Sequence, residues 1–306
     1  MAGMRGEPGY VFLVGAPKAG TTSIAGWLGA QDAVAASAIK EPRFFTDFGA
    51  RTWTGPDAVR FRARLVTDRA AYEALFRTTG ATRWKLDAST DYLSCPASPG
   101  LIGAFADRHD VRVIAVLRDP VERIVSEFQH TLRDGWQAGT LRASLDAEAE
   151  RTAAGRTPLF HHTARSRYAG PVADYAARFG DRFLVLDYHA LGDGDGTWRR
   201  IAAFLGIAYE AGADNEPRAN EGHVPRSALL TRALRSAPLR GAARAVVPAP
   251  LRRRVWQTAV EANKTRYRAT EVELDHLRGL LADEIAACVA DPRIPTENWR
   301  TAIPAH

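Results

Sequence analysis

The chain has 306 residues, 46% hydrophobic and 25% charged, enough for a sizeable core in one large α/β domain or two small ones. No apolar run approaches the roughly 20 residues of a membrane span, residues 1–8 lack the apolar core of an export signal, and Cys95 and Cys288 stand in no metal spacing, which argues against a disulfide framework and for a cytoplasmic protein. The net charge of +6 is carried by arginine more than lysine, and arginine suits bidentate contact with phosphate or sulfate groups.

Residues 10–14 are continuously apolar and predict a strand buried on both faces. The segment Phe12-Leu-Val-Gly-Ala-Pro-Lys-Ala-Gly-Thr-Thr-Ser23 carries that strand into a glycine-bearing loop and then a helix over 21–30. Gly15 and Gly20 keep the spacing of a Walker A loop, but Thr21 fills the usual lysine position and Lys18 lies earlier, inside the loop. Such a loop brings backbone N–H groups and a helix N-terminus close to an anion, with Thr21, Thr22 and Ser23 adding hydroxyls. A short strand over 35–39 is expected next, then Lys40-Glu-Pro-Arg-Phe-Phe45, an aromatic-rich stretch and a helix over 70–76. Trp84–Asp87 and Val111–Leu117 are further strand candidates, the second apolar at almost every position. Arg118-Asp-Pro-Val-Glu-Arg-Ile-Val-Ser126 opens a helix, with Asp119 as N-cap, Pro120 at the first helical position and Glu122 completing a capping box. A helix over 170–179, a strand over 182–186 and a helix over 198–205 follow, and residues 192–196 read as a surface turn. Past residue 215 the pattern becomes helical and arginine-rich (225–254), ending in an amphipathic helix over 270–289.

Strands alternating with helices predict a three-layer α/β, P-loop-like fold with a mostly parallel central sheet. We expect a single domain over 1–306, its core at about 10–210 and a helical part at about 215–306. No feature specifies an oligomer. The sparse interleaving of aromatics among the arginines argues against a nucleic-acid surface.

Two motifs carry a family resemblance. Ala16-Pro-Lys-Ala-Gly-Thr-Thr-Ser23 resembles the 5′-phosphosulfate loop of sulfotransferases that use 3′-phosphoadenosine 5′-phosphosulfate (PAPS). Arg118 to Ser126 resembles their 3′-phosphate motif, in which an arginine and a serine straddling a helix start face one phosphate. The resemblance implies that Lys18, Ala19, Gly20, Thr21, Thr22 and Ser23 hold the 5′ end of the donor. Arg118 and Ser126 would hold the 3′-phosphate. Arg226, in a segment where relatives close a basic loop over the nucleotide, is a further expected contact.

Lys40 to Phe45 is similar to a stretch of the heparan sulfate 3-O-sulfotransferases and N-sulfotransferases, which implies Glu41 as the base that takes the acceptor proton. Histidine serves that purpose in other sulfotransferases; His109, His130, His161, His162 and His189 are available, and the adjacent pair His161-His162 is the first rival. Trp84 to Leu93 partly resembles the acceptor-side lysine segment of the same relatives, with Asp87 where they have proline. Lys85 is thereby a candidate for transition-state stabilisation, and Asp87, Phe44 and Tyr92 for acceptor contact. The implied reaction moves a sulfuryl group from PAPS to a hydroxyl, or an amine, of a small-molecule or saccharide acceptor such as a secondary metabolite or glycolipid precursor, releasing 3′,5′-ADP. A transferred sulfuryl group carries less negative charge than a phosphoryl group, so no metal is expected to be required, and the sequence agrees in offering no Walker-type lysine–serine pair to organise Mg²⁺ and no His/Cys cluster. The competing readings are a P-loop kinase or NTPase, for which Asp119 is the nearest metal ligand, and a non-catalytic anion- or nucleic-acid-binding protein.

Overall fold

The computed structural model of the chain describes residues 7–192, 195–209, 224–225, 264–265 and 267–302. Five strands form one parallel sheet: β1 (Gly9–Gly15), β2 (Val34–Ala36), β3 (Trp84–Asp87), β4 (Val111–Leu117) and β5 (Phe183–Asp187), in the order β2-β3-β1-β4-β5. β1 is central and all seven of its residues are buried. That explains its unbroken apolar run, because helices cover both faces of the sheet.

On one face Ser98–Ala106 and Ala169–Phe179 pack together, contributing Ile102, Phe105, Val172 and Tyr175 to the core. On the other, Trp27 of the Thr21–Gly29 helix meets Trp198 of the Gly196–Leu205 helix at 5.3 Å between rings. A second apolar cluster joins Val121, Ile124 and Phe128 of the Pro120–Arg133 helix to Leu277, Leu281 and Ile285 near the C-terminus. The α/β class, the parallel sheet and the flanking helices are as expected. Among the described residues no helix is long and apolar enough to cross a membrane, and Cys95 and Cys288 are buried and unpaired.

Several boundaries differ. The second strand spans only Val34–Ala36, because the chain turns where the Ser37 hydroxyl donates to the Ile39 carbonyl. The helix expected over 70–76 is Arg69–Glu73, capped by Asp68, whose carboxylate accepts from the Ala71 N–H. Ser98–Ala106 had no sequence expectation; its mostly small residues give little amphipathic contrast. The C-terminal helix is two, Glu271–Leu280 and Ala282–Ala290, separated at Leu281. The arginine-rich stretch 225–254 lies outside the described residues apart from Pro225, which pairs with Lys264.

Parallel order brings the carboxyl ends of β1, β3, β4 and β5 side by side. The chain leaves β1 toward β2 and β3 but crosses back to β4 and β5 on the other side. Loops that depart in opposite directions leave a crevice between them, where open α/β sheets take their ligands.

Candidate active site

A cavity of about 550 Å³ occupies that crevice, and its walls are residues that follow strands. Lys18 follows β1, Thr90 and Asp91 follow β3, Arg118 follows β4, and Tyr188 follows β5. The Pro120–Arg133 helix supplies Ser126, Glu127 and His130 from one side, and the segment after β2 supplies Lys40, Glu41 and Arg43 from the other.

The loop after β1 has the geometry of an anion cradle. Gly20 takes a left-handed φ of 80° at the helix start, and a Cβ there would stand 2.5 Å from Leu191 Cδ1. Only glycine fits both demands. Lys18 also has a left-handed φ, 68°. No side chain caps the following helix; the Ser23 N–H donates to the Gly20 carbonyl at 3.0 Å, and the N–H groups of Thr21 and Thr22 lie ahead of it at the helix start. Thr21, Thr22 and Ser23 line the cavity; Ala19 does not, being fully buried with its N–H donated to the Ala16 carbonyl.

Burial lowers the Lys18 pKa to about 8, and the nearby cations Arg133, Arg118 and Arg123 push the same way against the opposing charge of Glu127. A desolvated ammonium among like charges gains from an incoming anion.

Arg118 and Ser126 line the cavity with Lys18. Arg118 donates to Glu122 Oε2 from Nε at 3.1 Å and Nη2 at 3.0 Å, and its guanidinium lies 4.5 Å from the Tyr188 ring centre. Glu122 is therefore spent on Arg118 and does not complete a capping box. Asp119 is the N-cap as expected: Oδ1 accepts from the Val121 and Glu122 N–H groups, and Oδ2 from the N–H and hydroxyl of Thr301. Buried and saturated, it does not face the cavity as a metal ligand would. Among the described residues no three His, Cys, Asp or Glu side chains cluster as a metal site.

Glu41 lines the same cavity, 17% exposed at its side chain. Its carboxylate accepts from Arg43 Nη2 at 2.5 Å and from the Thr90 hydroxyl at 3.2 Å. The first rival pair, His161-His162, is elsewhere. His162 is fully buried, its Nδ1 2.9 Å from Glu127 Oε2, and His161 lies off the cavity wall, its pKa lowered by burial. His130 does line the cavity, with Nε2 3.4 Å from Asp134.

Four expected acceptor-side residues lie off the cavity wall. Lys85 pairs in register with Tyr10, near the start of β1, and its ammonium caps that ring at 4.8 Å and bonds its hydroxyl at 3.2 Å. Five residues of strand, roughly 16 Å, separate that level from the end of β1. Lys85 therefore belongs to the amino end of the sheet. Asp87 is fully buried and accepts from Ser89 (2.6 Å), Tyr92 (2.7 Å) and Tyr72 (3.1 Å); burial raises its pKa to about 6 against those hydrogen bonds. Tyr92 is fully buried by the same contact, and Phe44 stacks on Tyr72 with ring centres 4.5 Å apart. These three build the shell behind the cavity. Arg226 lies outside the described residues.

The sequence offers Arg43, within the Lys40 to Phe45 motif, as an ion-pair partner for Glu41, and that pair is present; sequence reasoning missed Asp91, Arg165 and Glu127, three further charged residues of the cavity wall that pair with Arg43 or with one another. Arg60, Arg64 and Trp136 also reach the cavity. The adjacency of Glu127 to Ser126 and of Asp91 to Tyr92 is the one local signal for those two residues.

A family model described as the sulfotransferase family matches residues 8–211. Among solved structures, a sulfotransferase from Alicyclobacillus acidocaldarius is 28% identical, with a TM-score of 0.64 over 69% of this chain and 86% of that one. Weaker likenesses, which carry no weight here, are the sulfotransferase domain from the curacin biosynthetic pathway (13% identical, TM-score 0.43, 70% of this chain and 78% of that one) and mouse sulfotransferase SULT7A1 complexed with PAP (18%, 0.43, 75% and 68%). The chain matches no curated protein. With the family model spanning the sheet, the loop after β1 and the Arg118–Ser126 segment, the chain belongs to the sulfotransferase family.

Proposed function

We propose that the protein transfers a sulfuryl group from PAPS to a hydroxyl, or less readily an amine, of a small-molecule or saccharide acceptor and releases 3′,5′-ADP. The observation that carries this reading is the meeting of Lys18, Glu41, Arg118 and Ser126, from three separate segments, on one cavity. The residues present suit such a donor: an uncapped helix start, a desolvated Lys18 and hydroxyls at Thr21, Thr22 and Ser23 for the 5′ end, with Arg118 and Ser126 for the 3′-phosphate. The resemblance of Lys40 to Phe45 to the heparan sulfate 3-O- and N-sulfotransferases supports Glu41 as base. We read the chain as one catalytic unit whose core at about 10–210 holds the chemistry.

The donor supplies an activated sulfuryl group and a stable nucleotide leaving group. The protein supplies position and charge. Glu41, its carboxylate oriented by Arg43 and Thr90, accepts the proton of the acceptor hydroxyl as that oxygen attacks. Lys18 offsets the negative charge that develops on the departing side. The loop amides and the Arg118–Ser126 pair hold the two reactants in line, which alone is worth several orders of magnitude in rate.

Thermal stabilisation by 3′,5′-ADP, compared with ATP–Mg²⁺, tests the donor. A preference for ATP–Mg²⁺ would sink the reading in favour of a kinase or NTPase. Incubation with labelled PAPS and a cell extract, followed by mass spectrometry for an added sulfo group, tests turnover. Glu41→Gln is expected to keep 3′,5′-ADP binding and lose most sulfation.

A further inference from the structure

Glu41 and Arg43 both take left-handed backbone, with φ of 58° and 54°. Residues with side chains rarely adopt that conformation unless the surroundings hold them in it. Here the holding group is Arg43 itself. Its Nη2 donates to Glu41 Oε2 at 2.5 Å and its Nη1 to the Glu41 carbonyl at 2.9 Å, so one guanidinium grips both the carboxylate and the peptide of the proposed base. The Arg43 N–H is anchored in turn on the Ser89 hydroxyl at 3.0 Å. The other groups that face the Glu41 carboxylate are the Thr90 hydroxyl and the charge of Arg64.

The third donor of the fork points inward. Arg43 Nε reaches Asp91 Oδ2 at 2.5 Å, and Asp91 Oδ1 accepts from Arg165 Nη2 at 2.6 Å. Arg165 Nη1 donates to Glu127 Oε1 at 2.5 Å, and Glu127 Oε2 takes Arg123 Nη2 and His162 Nδ1, each at 2.9 Å. Arg43, Asp91, Arg165 and Glu127 are all buried, so these contacts are shielded from water and salt. Glu127 directly follows Ser126, in the helix whose start carries Arg118. A continuous buried line of alternating charge thus runs from the proposed base to the helix that carries the proposed 3′-phosphate residues.

We propose that Arg43 is a positioning residue: it fixes the Glu41 carboxylate for proton transfer and ties it, through Asp91, Arg165 and Glu127, to the donor-binding helix. This rests on the reading of Glu41 as base. A planar fork used in three directions cannot be copied by a lysine ammonium, which keeps the charge but not the geometry.

A double-mutant cycle tests it, using Glu41→Gln, Arg43→Gln, Arg43→Lys and the two double variants. Turnover is read as transfer from labelled PAPS to the acceptors of a cell extract, and donor binding as calorimetric affinity for 3′,5′-ADP. Arg43→Gln is expected to lower turnover about 100-fold, the scale of a misplaced catalytic group, and Arg43→Lys by about tenfold, while 3′,5′-ADP affinity stays within about twofold. In the Glu41→Gln background either Arg43 change is expected to cost less than about threefold more, because a group acting through another has nothing left to position. Full turnover in Arg43→Gln, or an equal loss with and without Glu41, overturns the proposal. If Arg43→Gln fails to fold, Arg43→Lys carries the cycle. Normal turnover of Glu41→Gln alone removes the base assignment and this proposal with it, whereas loss of 3′,5′-ADP binding in the unmodified protein would strike the donor reading first.

Discussion

Arg118 Nη1 reaches back to the carbonyl oxygen of Lys18 at 3.4 Å, so the loop after β1 and the loop after β4 are joined by a direct hydrogen bond. The same guanidinium is held by Glu122 and lies against Tyr188, which leaves it oriented along the cavity wall before any ligand arrives. Pre-orientation of this kind lowers the ordering cost of binding.

Arg118→Ala should therefore weaken 3′,5′-ADP far more than 5′-AMP. A hydrogen bond to a charged group is worth about 1.5–3 kcal/mol, or roughly 10- to 100-fold in affinity. Calorimetry with both nucleotides checks this. An equal loss for the two would mean that Arg118 does not read the 3′-phosphate.

Binding should also depend on pH through Lys18, whose pKa of about 8 reflects burial first and neighbouring arginines second. An anion favours the ammonium form, so affinity for 3′,5′-ADP should hold between pH 6 and 7.5 and fall progressively above about 8, as the free protein loses that proton. Lys18→Met should bind weakly at every pH and lose this dependence. A wild-type affinity unchanged between pH 7 and 9.5 would contradict the placement of the anion beside Lys18.

The buried charge line predicts a large stability effect. Burial disfavours the charged Glu127, yet Arg123, Arg165 and His162 hold its carboxyl well below the usual range. Glu127→Ala leaves Arg123 buried without its ion-pair partner and Arg165 with Asp91 alone, at a cost of about 3–5 kcal/mol and a fall in Tm on the order of 10 °C. A carboxylate with a depressed pKa stabilises the fold fully above its unfolded value, and the benefit is lost progressively as pH falls from that value toward the folded one. The wild-type advantage over Glu127→Ala should thus persist at pH 5 and shrink steadily below about 4.5. Thermal melts from pH 3 to 8 decide it.

Asp87 behaves in the opposite sense. Burial raises its pKa to about 6, above the unfolded value, so the folded state binds that proton more tightly and stability declines as pH rises between about 4 and 6. The Tyr92 hydroxyl supports the ionised form at 2.7 Å. Tyr92→Phe should cost about 1–3 kcal/mol at pH 7.5 and clearly less at pH 4.5, where Asp87 is protonated. A pH-independent loss would show that the hydroxyl matters for packing alone.

Much of the proposed donor half is legible in the amino-acid sequence. Gly20 is demanded by a left-handed turn, Asp119 and Pro120 by a helix start, and β1 and β4 by continuous apolar runs; each is a local constraint carried by residues close in sequence. The acceptor half is less legible. Lys85, Asp87 and Tyr92 match by motif spacing, but strand register decides which end of the sheet a residue occupies. A few residues along β3 move a side chain from the cavity to the opposite edge.

By itself the sequence determined the fold class, the loop after β1, and the helix start that carries Arg118 and Ser126, because backbone conformation and hydrophobic period are written over short distances. Only the tertiary structure decided that Glu41 and Lys18 line one cavity, and that Arg43 is joined through Asp91 and Arg165 to Glu127. Those partners lie in separate chain segments, 48 residues apart for Arg43 and Asp91 and 74 for Asp91 and Arg165. The order β2-β3-β1-β4-β5 sets them side by side, and no local pattern encodes that order.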